Sequence, residues 1–187
     1  LSHQPLLTRL FRRLIISRAD HVTTISKYLA DYAKGVWPGV KVDVIPNGVN
    51  VSVFASAANF RQSVRERLGV SFGDTVIMTG SRLVLKNGVE NLIRAFVIIR
   101  DSSILVIIGD GPLCENLKQL ADELGITDKI RWVGSVAPDR IPEYLSAADI
   151  FARSSLSEGL GNAFLEAFAA GLPIVAPMVG GIPDFYW

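Results

Sequence analysis

The stretch from Asp74 to Pro112, DTVIMTGSRLVLKNGVENLIRAFVIIRDSSILVIIGDGP, decides the fold. Thr75–Thr79 is a short apolar run closed by Gly80, and Ile104–Ile108 is a second, closed by Gly109. Between them, Gly88–Arg100 repeats apolar residues at helical spacing. Apolar runs without polar alternation read as strands covered on both faces. Two such strands joined by a helix make a right-handed crossover, so the strands run parallel.

The same alternation continues downstream. Ile130–Val133, Ile150–Ala152 and Pro173–Ala176 read as strands, and Leu113–Leu124, Ile141–Ala147 and Asn162–Ala170 as helices. The fold class is therefore α/β, a doubly wound Rossmann-like parallel sheet, which binds ligands beyond the carboxyl ends of its strands. Upstream, Phe60–Leu68 reads as a short helix ended by Gly69. Val51–Ala58 has no period and reads as a linker. Lys41–Ile45 and His21–Ile25 are strand-like, and Ser26 caps a helix to about Lys34 with Tyr28, Leu29 and Tyr32 inward. Leu6–Ser17 is an amphipathic helix with Leu6, Leu7, Leu10, Phe11, Leu14 and Ile15 on one stripe and Arg9, Arg12 and Arg13 largely elsewhere. That stripe is expected to pack on a sheet; the competing reading is contact with anionic lipid. The chain divides into residues 1–50, a linker and short helix over 51–69, and a main domain over 70–187. It opens at Leu1 inside a helical pattern and closes at Trp187 after a Gly-Gly turn, as a piece of a longer protein would.

Composition narrows the class. The 187 residues are 49% hydrophobic and 20% charged, which is ordinary for a globular chain. The net charge of +1 conceals +4 over residues 1–50 and −3 over the rest. No basic run is interleaved with aromatics, so nucleic acid is not an expected partner. A lone Cys114 forms no internal disulfide and points to a reducing, cytoplasmic setting; in a first helical turn it reads as a small apolar filler. The apolar runs are far too short to span a bilayer.

Each strand of the main domain ends in a glycine-bearing polar loop, at 80–88, 109–112, 134–135, 154–162 and 180–183. In the loop at 154–162, Gly159 and Gly161 let backbone approach a ligand, and Asn162 and Ala163 open a helix. Free N–H groups and the positive helix end there suit a diphosphate. Arg82 and Lys86 leave the first strand on the same edge. Glu158 and Glu166 would repel a phosphate, so they must be aimed at hydroxyls. The bland reading of Glu166, a favourable early-helix charge, is worth only about 0.3–1 kcal/mol. No Gly-x-Gly-x-x-Gly follows the first strand, which disfavours dinucleotide dehydrogenases.

The segment Glu158-Gly-Leu-Gly-Asn-Ala-Phe-Leu-Glu166 resembles the E-x7-E signature of family 4 glycosyltransferases. Ser81-Arg82-Leu83-Val84, Gly109-Asp110-Gly111-Pro112, Ala148-Asp149-Ile150 and Gly180-Gly181-Ile182-Pro183 agree in order, as do Ala19-Asp20-His21-Val22 and Ile45-Pro46-Asn47-Gly48 upstream. The resemblance covers nearly the whole chain. It implies a GT-B fold, of which residues 1–50 end the N-terminal domain and residues 70–187 form the donor-binding domain. It also implies retaining, metal-independent transfer from a nucleotide diphosphate sugar, most readily a UDP- or GDP-sugar, with no separate cofactor. The glycan, lipid-linked or small-molecule acceptor would be bound mainly by the N-terminal domain, at the cytoplasmic face of a membrane for a lipid. Arg82 matches the diphosphate arginine, Glu158 the glutamate near the donor sugar and Glu166 the ribose glutamate. Gly159, Leu160, Gly161, Asn162 and Ala163 match the backbone at sugar and phosphate, and Val133 stands where the base is gripped. The family's lysine directly before the glycine is replaced here by Asn87, with Lys86 one position earlier. Neither His3 nor His21 matches the histidine of many relatives, and the chain alone is expected to bind donor weakly at best and not to turn over. Two alternatives share this fold: an inactive nucleotide-sugar-binding module and a nucleotide-sugar 2-epimerase.

Overall fold

The computed structural model describes residues 6–71 and 73–185; Leu1, His3 and Trp187 lie outside them. The chain forms two compact units. The first holds residues up to Asn47 together with Glu158–Gly161 and the segment from Met178. The second holds Gly48–Ser157 and Asn162–Pro177.

In the first unit, helix α1 (Leu6–Arg18) precedes strand β1 (Val22–Thr24), helix α2 (Lys27–Val36) and strand β2 (Val42–Val44). β1 and β2 are parallel, with Thr23 opposite Asp43. The Ser26 side chain accepts from the Leu29 N–H and caps α2, as its sequence position predicts. The buried face of α2 is Ala30 and Ala33; Tyr28, expected inward, is exposed. His21, just before β1 and not within it, is exposed, and its Nε2 lies 2.8 Å from Asp43 Oδ2.

α1 departs from expectation more sharply. None of its residues is buried, and all six residues of its apolar stripe are exposed. The polar side makes the contacts instead. Arg12 donates to the Tyr32 hydroxyl at 2.5 Å, and the Arg13 guanidinium lies 5.1 Å from the Trp37 ring centroid. Cation–π attraction and the aliphatic stems of the arginines thus set which face turns inward.

The second unit begins with α3 (Val51–Ser56), a 3-10 turn (Ala57–Phe60) and α4 (Arg61–Arg67). The stretch expected to be a linker is therefore helical. A six-residue helix is too short to show a period, and its neighbours α7 and α8 supply the packing. Strand β3 (Thr75–Gly80) leads through a 3-10 turn (Leu85–Asn87) into α5 (Val89–Phe96). There follow β4 (Ser103–Ile108), α6 (Cys114–Glu123), β5 (Ile130–Gly134), α7 (Ile141–Ser146), β6 (Ile150–Ala152), α8 (Asn162–Ala169) and β7 (Ile174–Val175).

The sheet is wholly parallel, in the order β5–β4–β3–β6–β7. This is the doubly wound α/β arrangement that the alternating pattern predicts. Every residue of β4 is buried, as a central strand covered on both faces requires. Leu83, Ile93, Leu105, Phe96 and Ile107 anchor the core between α5, α6 and the sheet. Strand order reverses between β3 and β6, where such folds open a crevice.

The opposite, amino edge is held by charge. Asp149, just before β6, accepts from the Val76 N–H at 2.7 Å, from Arg65 at 3.2 Å and from Arg61. Arg65, only 8% exposed, also donates to the carbonyls of Ala147, Ser71 and Asp74. Burial alone would raise the Asp149 pKa, but the Val76 N–H and the two guanidinium groups outweigh it and hold the carboxyl below its ordinary range.

Candidate functional site

A cavity of about 450 Å³ opens in the second unit beyond the carboxyl ends of β3, β4, β5 and β6. Gly80, Ser81 and Arg82 enter from the loop after β3, Gly109 and Asp110 from the loop after β4, and Ser135 and Val136 from beyond β5. Ala163 and Glu166 enter from the start of α8. Ile141, Leu145 and Phe151 form an apolar wall. A polar rim with one apolar side suits a small molecule carrying both a ring and an anion.

Loop geometry brings these groups together. Gly88 is left-handed (φ 62°, ψ 23°), and a Cβ there would strike the Ser154 carbonyl. The Ser154 hydroxyl donates to the Gly88 carbonyl, and the Leu156 N–H donates to the Lys86 carbonyl at 2.8 Å. The loops after β3 and β6 are thus laced across the strand reversal. Gly109 (φ 128°) lies against the Ser81 carbonyl with no room for a side chain, which draws in the loop after β4.

Of the residues singled out in sequence, Arg82, Ala163 and Glu166 line this cavity. The Arg82 guanidinium is exposed and makes no hydrogen bond or ion pair among the described residues, so it is available to an anion. Lys86 is exposed, in the 3-10 turn, and is not among the lining residues. Asn162 opens α8 beside Ala163 but is not itself in the lining. Val133 lies within β5; the lining is reached two residues later, at Ser135 and Val136.

Glu166 is half-buried and has no hydrogen-bond partner among the described residues. Burial raises its pKa, and the charge of Arg153 partly offsets that rise. A carboxylate desolvated in this way gains from hydroxyl donors. The Ser81 hydroxyl is buried and, among the described residues, also lacks a partner. Leaving such a group unpaired costs about 1–3 kcal/mol, which a ligand can recover.

Glu158–Gly161 belongs to the first unit. There the Glu158 carbonyl accepts from the Gly181 N–H at 3.0 Å, Gly159 packs against Leu29, and Leu160 is buried. The Leu160 side chain therefore serves packing, and only its backbone is left for a ligand.

Sequence reasoning placed Ser81, Asp110 and Ser135 in loops at the ligand edge without naming them as site residues, and it missed Val136. Their signal was present: all four sit at or just past the carboxyl end of a strand. It also missed Arg153, whose Nε donates to Ser155 Oγ at 3.0 Å and whose Nη2 donates to Asn87 Oδ1 at 3.2 Å. Asn87, where a charged lysine was expected, is buried and donates to the Arg82 carbonyl at 2.6 Å.

The family model described as glycosyl transferases group 1 matches residues 60–186. The chain belongs to this family. It is 36% identical over 183 residues to a GDP-mannose-dependent alpha-(1-6)-phosphatidylinositol monomannoside mannosyltransferase of Mycobacterium tuberculosis, covering 92% of this chain and 47% of that protein. It is 28% identical to the alpha-monoglucosyldiacylglycerol synthase of Streptococcus pneumoniae, covering 92% of this chain and 41% of the synthase. Among solved structures, Anabaena HepE in complex with UDP and glucose superposes with a TM-score of 0.83 at 26% identity, covering 94% of this chain and 49% of HepE. Sucrose-phosphate synthase from Thermosynechococcus elongatus shares the fold, with a TM-score of 0.85 at 24% identity over 98% of this chain and 47% of the synthase. This group 1 chain thus spans about half the length of the relatives it matches, and its architecture is the expected GT-B one. Among its described residues, no helix is long and apolar enough to cross a membrane.

Proposed function

We propose that this chain carries the donor site of a retaining, metal-independent glycosyltransferase that uses a nucleotide diphosphate sugar. The observation that carries the reading is the cavity at the strand reversal. It combines an unpaired Arg82, the first turn of α8 and a half-buried, unpartnered Glu166. An arginine and a helix N-terminus are matched to a diphosphate, and a lone carboxylate to the vicinal hydroxyls of a ribose.

In the reaction, the bond from the anomeric carbon to the diphosphate oxygen breaks, a bond to an acceptor hydroxyl oxygen forms on the same face, and the hydroxyl proton passes to the leaving diphosphate. Charge builds on the leaving diphosphate, and groups already aimed at that position lower the barrier. Arg82 and the α8 N-terminus meet that charge, with Lys86 as a further cation from its exposed turn. Glu158 serves the sugar hydroxyls, the Gly159–Ala163 backbone the sugar and phosphate, and the wall near Val133 and Val136 the base. Relatives named for GDP-mannose and a neighbour solved with UDP support either base as the donor's. The acceptor is a glycan or lipid, and α1, with its exposed apolar stripe and four arginines, is suited to an anionic bilayer surface.

A thermal-shift screen against UDP-, GDP- and ADP-sugars tests the donor site, because a ligand of the native state raises its melting temperature. A UDP- or GDP-sugar should shift the transition. Silence across the whole set, repeated by calorimetry, would sink the reading. Co-sedimentation with phosphatidylglycerol vesicles tests α1, and salt-insensitive absence of binding would remove the membrane from the account.

A further inference from the structure

The cations expected at the cavity are Arg82 and Lys86, but a third is linked to the Arg82 backbone through Asn87. Arg153 follows β6; its charge acts on Glu166, and its guanidinium also meets groups on several elements. It meets Ser155 on its own loop and Asn87 on the loop after β3. It also lies 5.7 Å from the ring centroid of Phe164, in the first turn of α8. Phe164 is buried and packs edge-on against Phe151, a cavity wall residue, at 5.9 Å. Arg153 thus lies over Phe164, a ring itself fixed in the core against Phe151.

The contact with Asn87 has the larger consequence. Asn87 is 3% exposed and uses both ends of its amide: its oxygen accepts from Arg153, and its nitrogen donates to the Arg82 carbonyl. A continuous chain of hydrogen bonds therefore runs from the β6 loop to the backbone that carries Arg82. The Arg82 side chain makes no hydrogen bond or ion pair among the described residues, so its direction depends on that backbone, whose carbonyl also accepts from the Val84 N–H at 2.9 Å.

We propose that Arg153 is a positioning residue for the anion-binding loop, acting through Asn87 to hold the backbone from which Arg82 enters the cavity. The inference rests on the donor-site reading above. It also explains why a neutral Asn87 is adequate between Lys86 and Gly88: its amide is used as a bridge, which an ammonium with no acceptor atom cannot provide. The guanidinium fork is equally specific. Lysine carries its donors on a single nitrogen and does not span the two sites that the separate Nε–H and Nη2–H of Arg153 reach at Ser155 and Asn87.

Calorimetric titration of the 187-residue chain with UDP and with GDP provides the test, in a double-mutant cycle with Arg82. Arg153→Gln should weaken binding of the preferred nucleotide about tenfold, the usual order for a charge-assisted hydrogen bond lost from a network. In an Arg82→Ala background the same change should weaken binding less than about twofold, since the group it positions is gone. A merely structural role would lower affinity equally in both backgrounds, and additive losses overturn the proposal. Arg153→Lys should lose affinity like Arg153→Gln; full affinity in the lysine variant would show that charge alone suffices and would likewise overturn it. If Arg153→Gln fails to fold, the lysine variant and Asn87→Ala carry the same cycle. Failure of the unmodified chain to bind either nucleotide would count against the donor site itself, a distinct result.

Discussion

The carbonyl oxygen of Ser154 occupies the space that a Cβ on Gly88 would need. Gly88 is also left-handed, so alanine there meets both backbone strain and a collision with fixed main chain. Gly125 shares the left-handed conformation (φ 65°) but has nothing within 4 Å of its Cβ position. Gly125→Ala should therefore lose only the strain term of about 1–2 kcal/mol, or roughly 2–8 °C in melting temperature. Gly88→Ala should fall further and also lose nucleotide binding. Equal melting temperatures for the two variants would show that the loops are not locked at this point.

Arg82 projects into the cavity without a protein partner, so removing it should leave the fold intact. Arg82→Ala is expected to melt within about 1 °C of the parent. Its affinity for UDP or GDP should drop about 10- to 100-fold, as for loss of a charge-assisted bond to phosphate. Nucleoside binding should hardly change. A variant that binds diphosphate normally would remove Arg82 from the site.

Much of this was legible in the sequence because buried parallel strands announce themselves as short unbroken apolar runs. β3, β4, β5 and β6 fall within a residue or so of their expected limits. The loops that carry Arg82, Ala163 and Glu166 follow from where those strands end. What escaped was decided by packing at a distance. Val51–Ser56 is a helix because α7 and α8 lie beside it, not because its own residues repeat. The α1 stripe faces outward because Arg12 and Arg13 find aromatic partners on and after α2. Arg153 and Asn87 are 66 residues apart, and no local pattern marks such a pair.

Glu166 provides a pH-dependent signature. Burial raises its pKa above the ordinary carboxylate range, less the effect of Arg153. A carboxyl with a raised folded-state pKa stabilises the protein when protonated, and that contribution is lost as pH rises through the folded value. Glu166→Gln should therefore raise the melting temperature at neutral pH, with the gain vanishing below the unfolded carboxylate range. The same variant should bind nucleotide about tenfold more weakly, having lost one ribose acceptor. A melting profile that parallels the parent at every pH would contradict the burial of a charge at this position.

Asp149 carries the opposite sign. Its depressed carboxyl contributes stability that is present above the unfolded pKa and lost as pH falls through the lower, folded one. Asp149→Asn keeps the size but weakens the bonds to Arg61, Arg65 and Val76. It should cost about 2 kcal/mol or more, roughly 4–8 °C, and flatten the acid side of the stability curve. Measured nucleotide affinity at a temperature where the variant is folded should stay within about twofold of the parent. An unchanged melting temperature would show that the arginine pair holds the sheet without its acid.

The ion-paired anchor at Asp149 lies at the far end of the strands from the cavity, so the two ends share no side-chain partner among those described above. Cavity residues such as Asp110, Ser135 and Val136 can therefore be exchanged while the anchor keeps the sheet together. A scaffold divided in this way tolerates change in its specificity without a matching loss of integrity.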